Sequence, residues 1–330
     1  MRTRLLPRAD RKLSVVGLGT WQFGDGWSHV GERDVRGILD AAVASGVDFV
    51  DTADVYGDGR SERLIGRFLK DFRTSSGERP TVATKFGRRG PQEPASFTLD
   101  NFREWSDRSR ANLGMDTLDL VQLHTPPDAV FASDAVFDAL DTLVEEGRMR
   151  AYGVSVETCA QAMAALARPG VASVQIILNV FRRKPLEEVL PAAKAAGVGI
   201  VARVPLASGL LSAKFKQDTV FAEDDHRTYN RHGEQFDVGE TFSGVDYEAG
   251  LAAAAEFAAL VPEGMTAAQF ALRWVVQQDG VTTVIPGATS VGQARDNAAV
   301  GSMPPLPATT EERLRELYDR RIRDLVHHRW

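Results

Sequence analysis

Cysteine is almost absent from this chain of 330 residues. Cys159 stands alone, which excludes an intramolecular disulfide framework and any metal cluster built from cysteines. Long apolar runs are missing too. The most apolar helix candidate, residues 251–261, is interrupted by Glu256 and is too short to span a bilayer, so no membrane partner is expected. Positive charge is not in excess either: 39 Lys and Arg face 45 Asp and Glu, a net charge of −6, and no broadly basic nucleic-acid footprint is expected. Residues 1–10 carry charges with no apolar stretch behind them, so no signal peptide is read and the expected location is the cytoplasm. No low-complexity tract, linker or long like-charge block divides the chain, and a single domain over residues 1–330 is the expectation.

What recurs is an amphipathic helix, a glycine, a short gap and an apolar strand. Gly46, Gly114, Gly147, Gly197 and Gly280 each stand between such a helix and such a strand, where glycine supplies a left-handed helix cap. Val35, Ile38, Leu39, Ala42 and Val43 fall on one helical stripe. The strand candidates, at 15–18, 47–50, 81–83, 118–123, 151–154, 173–177, 199–202 and 283–285, are short continuous apolar runs. Such runs suit a parallel sheet buried on both faces. Eight strands alternating with helices predict an α/β fold, the (β/α)8 TIM barrel. The competing doubly wound sheet lacks its phosphate fingerprint, since Gly17-Leu18-Gly19-Thr20-Trp21-Gln22 has glutamine where the third glycine belongs. An N-terminal hairpin with arms at 4–6 and 11–13 is expected to close the barrel bottom. A long loop is expected after strand seven, over 212–265, with an extra helix at 251–260 and further helices towards the C-terminus.

Polar residues at the C-terminal ends of barrel strands face a common mouth. Strands two, three and four end on Asp51, Lys85 and His124, and Tyr56 follows shortly after Asp51. Singly, each has an ordinary structural reading: a core histidine, a turn cap, a surface tyrosine, a solvated lysine. Jointly they suit proton transfer. A lysine ammonium near the phenol is expected to lower its pKa, Asp51 to balance the lysine, and a neutral His124 to position a substrate oxygen. No nucleophile with its base is present, and the set lacks the ligand count of a metal site, so no metal is expected. A general acid of this kind calls for a hydride donor.

These residues resemble a known family. Gly17-Leu18-Gly19-Thr20-Trp21, the run from Asp48 to Gly57, Thr84-Lys85, Leu123-His124 and Val284-Ile285-Pro286-Gly287 look like the aldo-keto reductases, in register from about Val15 to Asn297. Pro205-Leu206-Ala207-Ser208-Gly209-Leu210-Leu211 looks most like the bacterial branch related to potassium-channel β subunits. The resemblance implies reduction of an aldehyde or ketone with NADP(H), NAD(H) being the other candidate. It implies Asp51, Tyr56, Lys85 and His124 as catalytic residues. For the cofactor it implies Gly19, Thr20, Trp21, Asp51, Ser155, Gln175, Arg203, Pro205, Leu206, Ser208, Gly287, Thr289, Ser290, Gln293 and Asn297. Trp21, Trp27, Tyr56, Phe86 and His124 are expected to meet the substrate, with Phe23 also at the aromatic mouth.

The chain also departs from the family pattern. Val156 replaces a common asparagine, Arg203 a tyrosine that commonly stacks on nicotinamide, and Leu178-Asn179 a frequent tyrosine-asparagine pair. The usual cations for a 2′-phosphate are absent at Gly287 and Gln293, and helical spacing turns Arg295 off the Gln293/Asn297 face. A modest preference for NADPH over NADH is therefore expected. The alternative to an enzyme is a nicotinamide-cofactor-binding redox sensor or regulatory subunit with little turnover; a metal-dependent barrel hydrolase is a distant third. The expected partner is a small carbonyl compound, with the chain a monomer or weak homo-oligomer.

Overall fold

Parallel pairing of short apolar runs builds the frame of the molecule. The structure is a computed structural model that describes residues 1–24, 30–72 and 78–330. An antiparallel hairpin, β1 (Thr3–Leu6) and β2 (Arg11–Ser14), comes first. Eight parallel strands follow: β3 (Leu18–Gly19), β4 (Phe49–Asp51), β5 (Thr81–Phe86), β6 (Leu120–His124), β7 (Tyr152–Ser155), β8 (Val171–Ile177), β9 (Gly199–Arg203) and β10 (Val281–Val284). They pair in sequence order, each with the next. The ends meet as well. Val16 bridges Val284, Gly19 bridges Gly287, and the Gly17 N–H donates to the Val284 carbonyl at 2.8 Å. The sheet is thus a closed (β/α)8 barrel, with helices such as Glu32–Ala44, Leu99–Leu113 and Val291–Ala299 between or after its strands.

Side chains alternate along each strand, so residues two apart share a face. One face forms the barrel interior. Its lower layer holds Phe49, Ala83, Leu120, Val201 and Ile285, packed with Leu6 and Leu13 of the hairpin. The hairpin therefore closes the floor as expected. Two residues further along β4, β5, β6 and β9 stand Asp51, Lys85, Gln122 and Arg203, which puts a buried polar layer on an apolar floor. The opposite faces pack outwards on the helices: Ile38 and Leu39 of the first helix join Val50, Val82 and Val121 in the outer core. At Gly114 and Gly197 the helix ends turn with φ of 64° and 67°, where a Cβ would be strained.

Residues 204–266, between β9 and helix Ala267–Gln277, run over the mouth. Their extra helix is Tyr247–Ala258, starting earlier than expected because the Asp246 carboxylate accepts from the N–H groups of Glu248 and Ala249. Among the described residues no helix is long and apolar enough to cross a membrane. Beyond helix Ala308–Arg321, Trp330 tucks beneath the long segment: its indole donates to Asp237 at 3.0 Å, and the Arg182 guanidinium lies 3.9 Å from its ring. Gly239 and Gly244 leave room for that ring, since a Cβ on either would stand 2.8 or 2.3 Å from it.

Candidate active site

β4 and β5 place Asp51 and Lys85 side by side in the barrel interior. The Lys85 ammonium donates to Asp51 Oδ2 at 2.6 Å, to the Thr52 carbonyl at 2.9 Å and to Tyr56 Oη at 3.4 Å. Gln175 and Gln122 donate to the other Asp51 oxygen at 2.8 and 3.3 Å, so the carboxylate is held from both sides. His124, at the end of β6, meets Tyr56 edge to face with ring centroids 5.9 Å apart. The loop carrying Tyr56 is braced from below. Thr20 donates to the Asp51 carbonyl at 2.8 Å, and Ser61 joins the Thr20 and Thr52 hydroxyls at 2.9 Å each.

Burial and neighbouring charge together set the protonation states. Burial pushes the Tyr56 phenol above its ordinary value, and the Lys85 cation offsets only part of that cost. The expected net lowering by Lys85 is corrected accordingly: desolvation exceeds the charge effect. Burial would also lower Lys85, but Asp51 and Tyr56 outweigh it and hold the ammonium above its ordinary value. Burial, with Arg88, Lys85 and Arg203 nearby, holds His124 well below the usual imidazole range, and its Nδ1 is buried without a hydrogen-bond partner. The resting set is therefore a neutral phenol, an ammonium–carboxylate pair and a neutral imidazole.

A cleft of about 640 Å³ opens above these groups and runs across the mouth. Its lining includes Gly19, Thr20, Trp21, Asp51, Tyr56, His124, Gln175, Arg203, Pro205, Leu206, Ser208, Gly287, Thr289, Gln293 and Asn297. The structure thus brings most of the expected residues to one place. Two stand apart from that lining: Ser155 is fully buried at the end of β7, and the Ser290 hydroxyl caps helix Val291–Ala299 by accepting from the Gln293 N–H at 3.2 Å. Trp27 lies outside the described residues.

Phe86 requires a correction. It follows Lys85 on β5, so alternation turns it to the outer face, where it is fully buried and stacks on Phe102 at 5.4 Å. Phe23 is likewise core, not mouth. The aromatic rim comes instead from the long segment: His226 lies 4.8 Å from the Trp21 ring and Phe236 6.2 Å, with Tyr229 beside them in the lining.

Sequence reasoning also missed charged groups. Arg88, Lys214, Arg227 and Glu240 all line the cleft. Arg203 pairs with Glu157 at 2.8 Å and Glu240 at 3.6 Å, which offsets the charge that the sequence places beside the expected nicotinamide position. The available signal was compositional: a long polar connection on the active face of a barrel. Its fold is what brings Lys214 and Glu240 to the cleft. Among the described residues no group of His, Cys, Asp or Glu is arranged to hold a metal ion.

Comparison with known proteins finds relatives across most of the chain. An uncharacterized oxidoreductase of Mycobacterium tuberculosis is 32% identical over 300 residues, 88% of this chain and 85% of that protein. The glycerol dehydrogenase of Gluconobacter oxydans superposes with a TM-score of 0.77 at 30% identity, covering 97% of this chain and 96% of its own. An aldo-keto reductase of Klebsiella pneumoniae solved with NADPH shares the fold, with a TM-score of 0.70 at 23% identity over 96% of both chains. The Aldo/keto reductase family pattern matches residues 15–319. With its barrel closed and its strand-end residues converging on one cleft, the chain belongs to the aldo/keto reductase family.

Proposed function

We propose that this protein is an NADP(H)-dependent oxidoreductase that reduces an aldehyde or ketone to an alcohol, with Tyr56 as general acid. The observation that carries the reading is the contact of Tyr56 Oη with Lys85 Nζ at 3.4 Å, beside a neutral His124 at the mouth of the barrel. Family membership brings a nicotinamide cofactor with it, and the residues present suit one. The lining of the cleft includes Tyr56, His124, Gln175 and Trp21, and also a second group, Ser208, Lys214, Gln293 and Asn297. The second group supplies donors and a cation of the kind phosphates require. When bound, the cofactor supplies a hydride to the carbonyl carbon.

The chain's own residues do the rest. Neutral His124 donates a hydrogen bond to the carbonyl oxygen and fixes its position. Protonated Tyr56 then gives its proton to that oxygen as negative charge develops there. Lys85 stabilises the phenolate left behind, and solvent returns the proton. Asp51, held by Gln122 and Gln175, keeps Lys85 charged and aimed.

The test is Tyr56→Phe. General acid catalysis is worth about 100- to 10,000-fold, so NADPH oxidation in the presence of aldehydes is expected to fall by that amount. Binding of NADPH, followed by quenching of tryptophan fluorescence, is expected to stay close to the parent value. Wild-type turnover in the phenylalanine variant would remove Tyr56 from the mechanism. Absence of turnover in the parent across aldehydes, ketones and sugars would favour the sensor reading.

A further inference from the structure

Arg88 is fixed in place yet short of partners. It lies two residues beyond the end of β5, the strand that carries Lys85, and lines the cleft with Tyr56 and His124. Its Nε donates to Thr125 Oγ1 at 2.7 Å, which ties it to the residue after His124, where the backbone takes a φ of 50°. Beyond that contact the guanidinium is loosely held. Nη2 comes no closer than 3.5 Å to Glu240 and 3.9 Å to Glu157, and Nη1 has no hydrogen-bond partner among the described residues. Arg203 is held more closely: it lies 2.8 Å from Glu157 and donates to the Val156 carbonyl at 3.1 Å, with its Nε buried. Side-chain exposure follows the same order, 26% for Arg88 against 9% for Arg203.

We infer that Arg88 anchors a carboxylate of the substrate, so that the preferred carbonyl compounds are oxo-acids; the inference rests on the carbonyl reduction proposed above. A planar guanidinium with an open edge, pre-aimed by Thr125, matches the two oxygens of a carboxylate. Its neighbourhood to His124 puts the carboxylate and the reacting carbonyl in one molecule of modest length. The surrounding charge allows it. Glu240 and Glu157 lie 3.5 and 3.9 Å from Arg88, and Glu157 is nearer to Arg203, at 2.8 Å, so neither carboxyl closes the open edge of Arg88.

The experiment compares two oxo-acids of different reach, 4-oxobutanoate and 4-carboxybenzaldehyde, each with its methyl ester, using NADPH and the full chain. The wild type is expected to favour at least one acid by about tenfold or more in kcat/KM, since hydrogen bonds to charged groups carry an effect of that order. In Arg88→Gln that ratio is expected to collapse towards one, through the KM of the acid, and Arg88→Lys to restore part of it. A ratio near one in the wild type for both pairs would overturn the inference while leaving carbonyl reduction standing. So would equal losses on acid and ester in Arg88→Gln, which would mark Arg88 as a brace for Glu240. No turnover of these four compounds and of the aldehyde, ketone and sugar panel alike would instead fail the reductase reading. The site is then read without turnover, by the rise in melting temperature with benzoate, expected in the wild type and lost in Arg88→Gln. No rise in the wild type overturns the inference.

Discussion

At Tyr56 two effects of opposite sign meet, and their balance explains why the phenol keeps its proton until a carbonyl arrives. Burial raises its pKa and Lys85, 3.4 Å away, lowers it. Removing the cation leaves burial unopposed, so Lys85→Met is expected to raise the tyrosine's apparent pKa further and to slow reduction. Asp51→Asn acts through the same ammonium, to which Asp51 is bound at 2.6 Å. The double variant is therefore expected to lose less than the product of the two single losses. Steady-state kinetics of the three variants would decide it, and strict additivity in free energy would show that the residues do not share a network. Asp51, Lys85 and His124 were legible in the sequence because strand ends in a barrel share a mouth. Phe86 was misplaced for a reason equally physical: the alternation that turns Lys85 inwards turns its neighbour outwards.

Among the elements, the segment after β9 was the least legible. Its aromatic and charged residues follow neither the period of a strand nor that of a helix, and its path is set by contacts distant in sequence. Ser208 donates to the Glu240 carbonyl at 2.9 Å and accepts from the Phe242 N–H at 3.0 Å, while Asn179 donates to Ser243 at 2.8 Å. None of these pairings is local. The consequence concerns cofactor choice. Helix Val291–Ala299 offers no cation at Gln293, whose amide oxygen accepts from the Thr289 N–H at 2.8 Å. The segment after β9, which lines the same cleft, supplies exposed Lys214 and, bound to Asp225, Arg227. Lys214→Ala is accordingly expected to weaken NADPH by about tenfold and NADH by less, the difference reflecting a lost charge-assisted contact to the 2′-phosphate. Dissociation constants for both cofactors would test this, and equal losses would place Lys214 away from that phosphate. The eight-strand order and the hairpin, in contrast, could be read directly, because glycine caps and apolar periodicity are local signals.

For the molecule as a whole, acid groups buried near the mouth set how stability responds to pH. Burial, with Glu62 beside it, pushes Asp54 up to about 7, and both its carboxyl oxygens lack hydrogen-bond partners. A folded pKa above the unfolded one means that the native state binds the extra proton. Stability from this source is full below about pH 4 and declines as pH rises through 7. Asp54→Asn is thus expected to raise the melting temperature at pH 8.5 and to change it little at pH 4. The upper bound on the gain is about 4 kcal/mol for a shift of this size. Melts at the two pH values check the prediction, and an equal change at both would sink it. Glu157, pushed up to about 8 by burial, works in the same direction; Glu240, held at about 2 against its own burial by Arg203 and Arg88, works in the opposite one, its contribution present above the ordinary carboxylate value and lost as pH falls towards 2.

The clamp of Trp330 on residues 237–244 has a consequence for how such a protein can diversify. The indole, Arg182 and the Asn179–Ser243 bond fasten the segment from outside the barrel interior. Asp51, Lys85 and Gln122 rest instead on Phe49, Ala83 and Leu120 beneath them. The rim formed by the segment and the proton-transfer layer are thus fastened to different supports. A graft of the segment from another barrel, taken together with its C-terminal clamp, could exchange the molecules admitted while leaving the proton-transfer machinery seated as before.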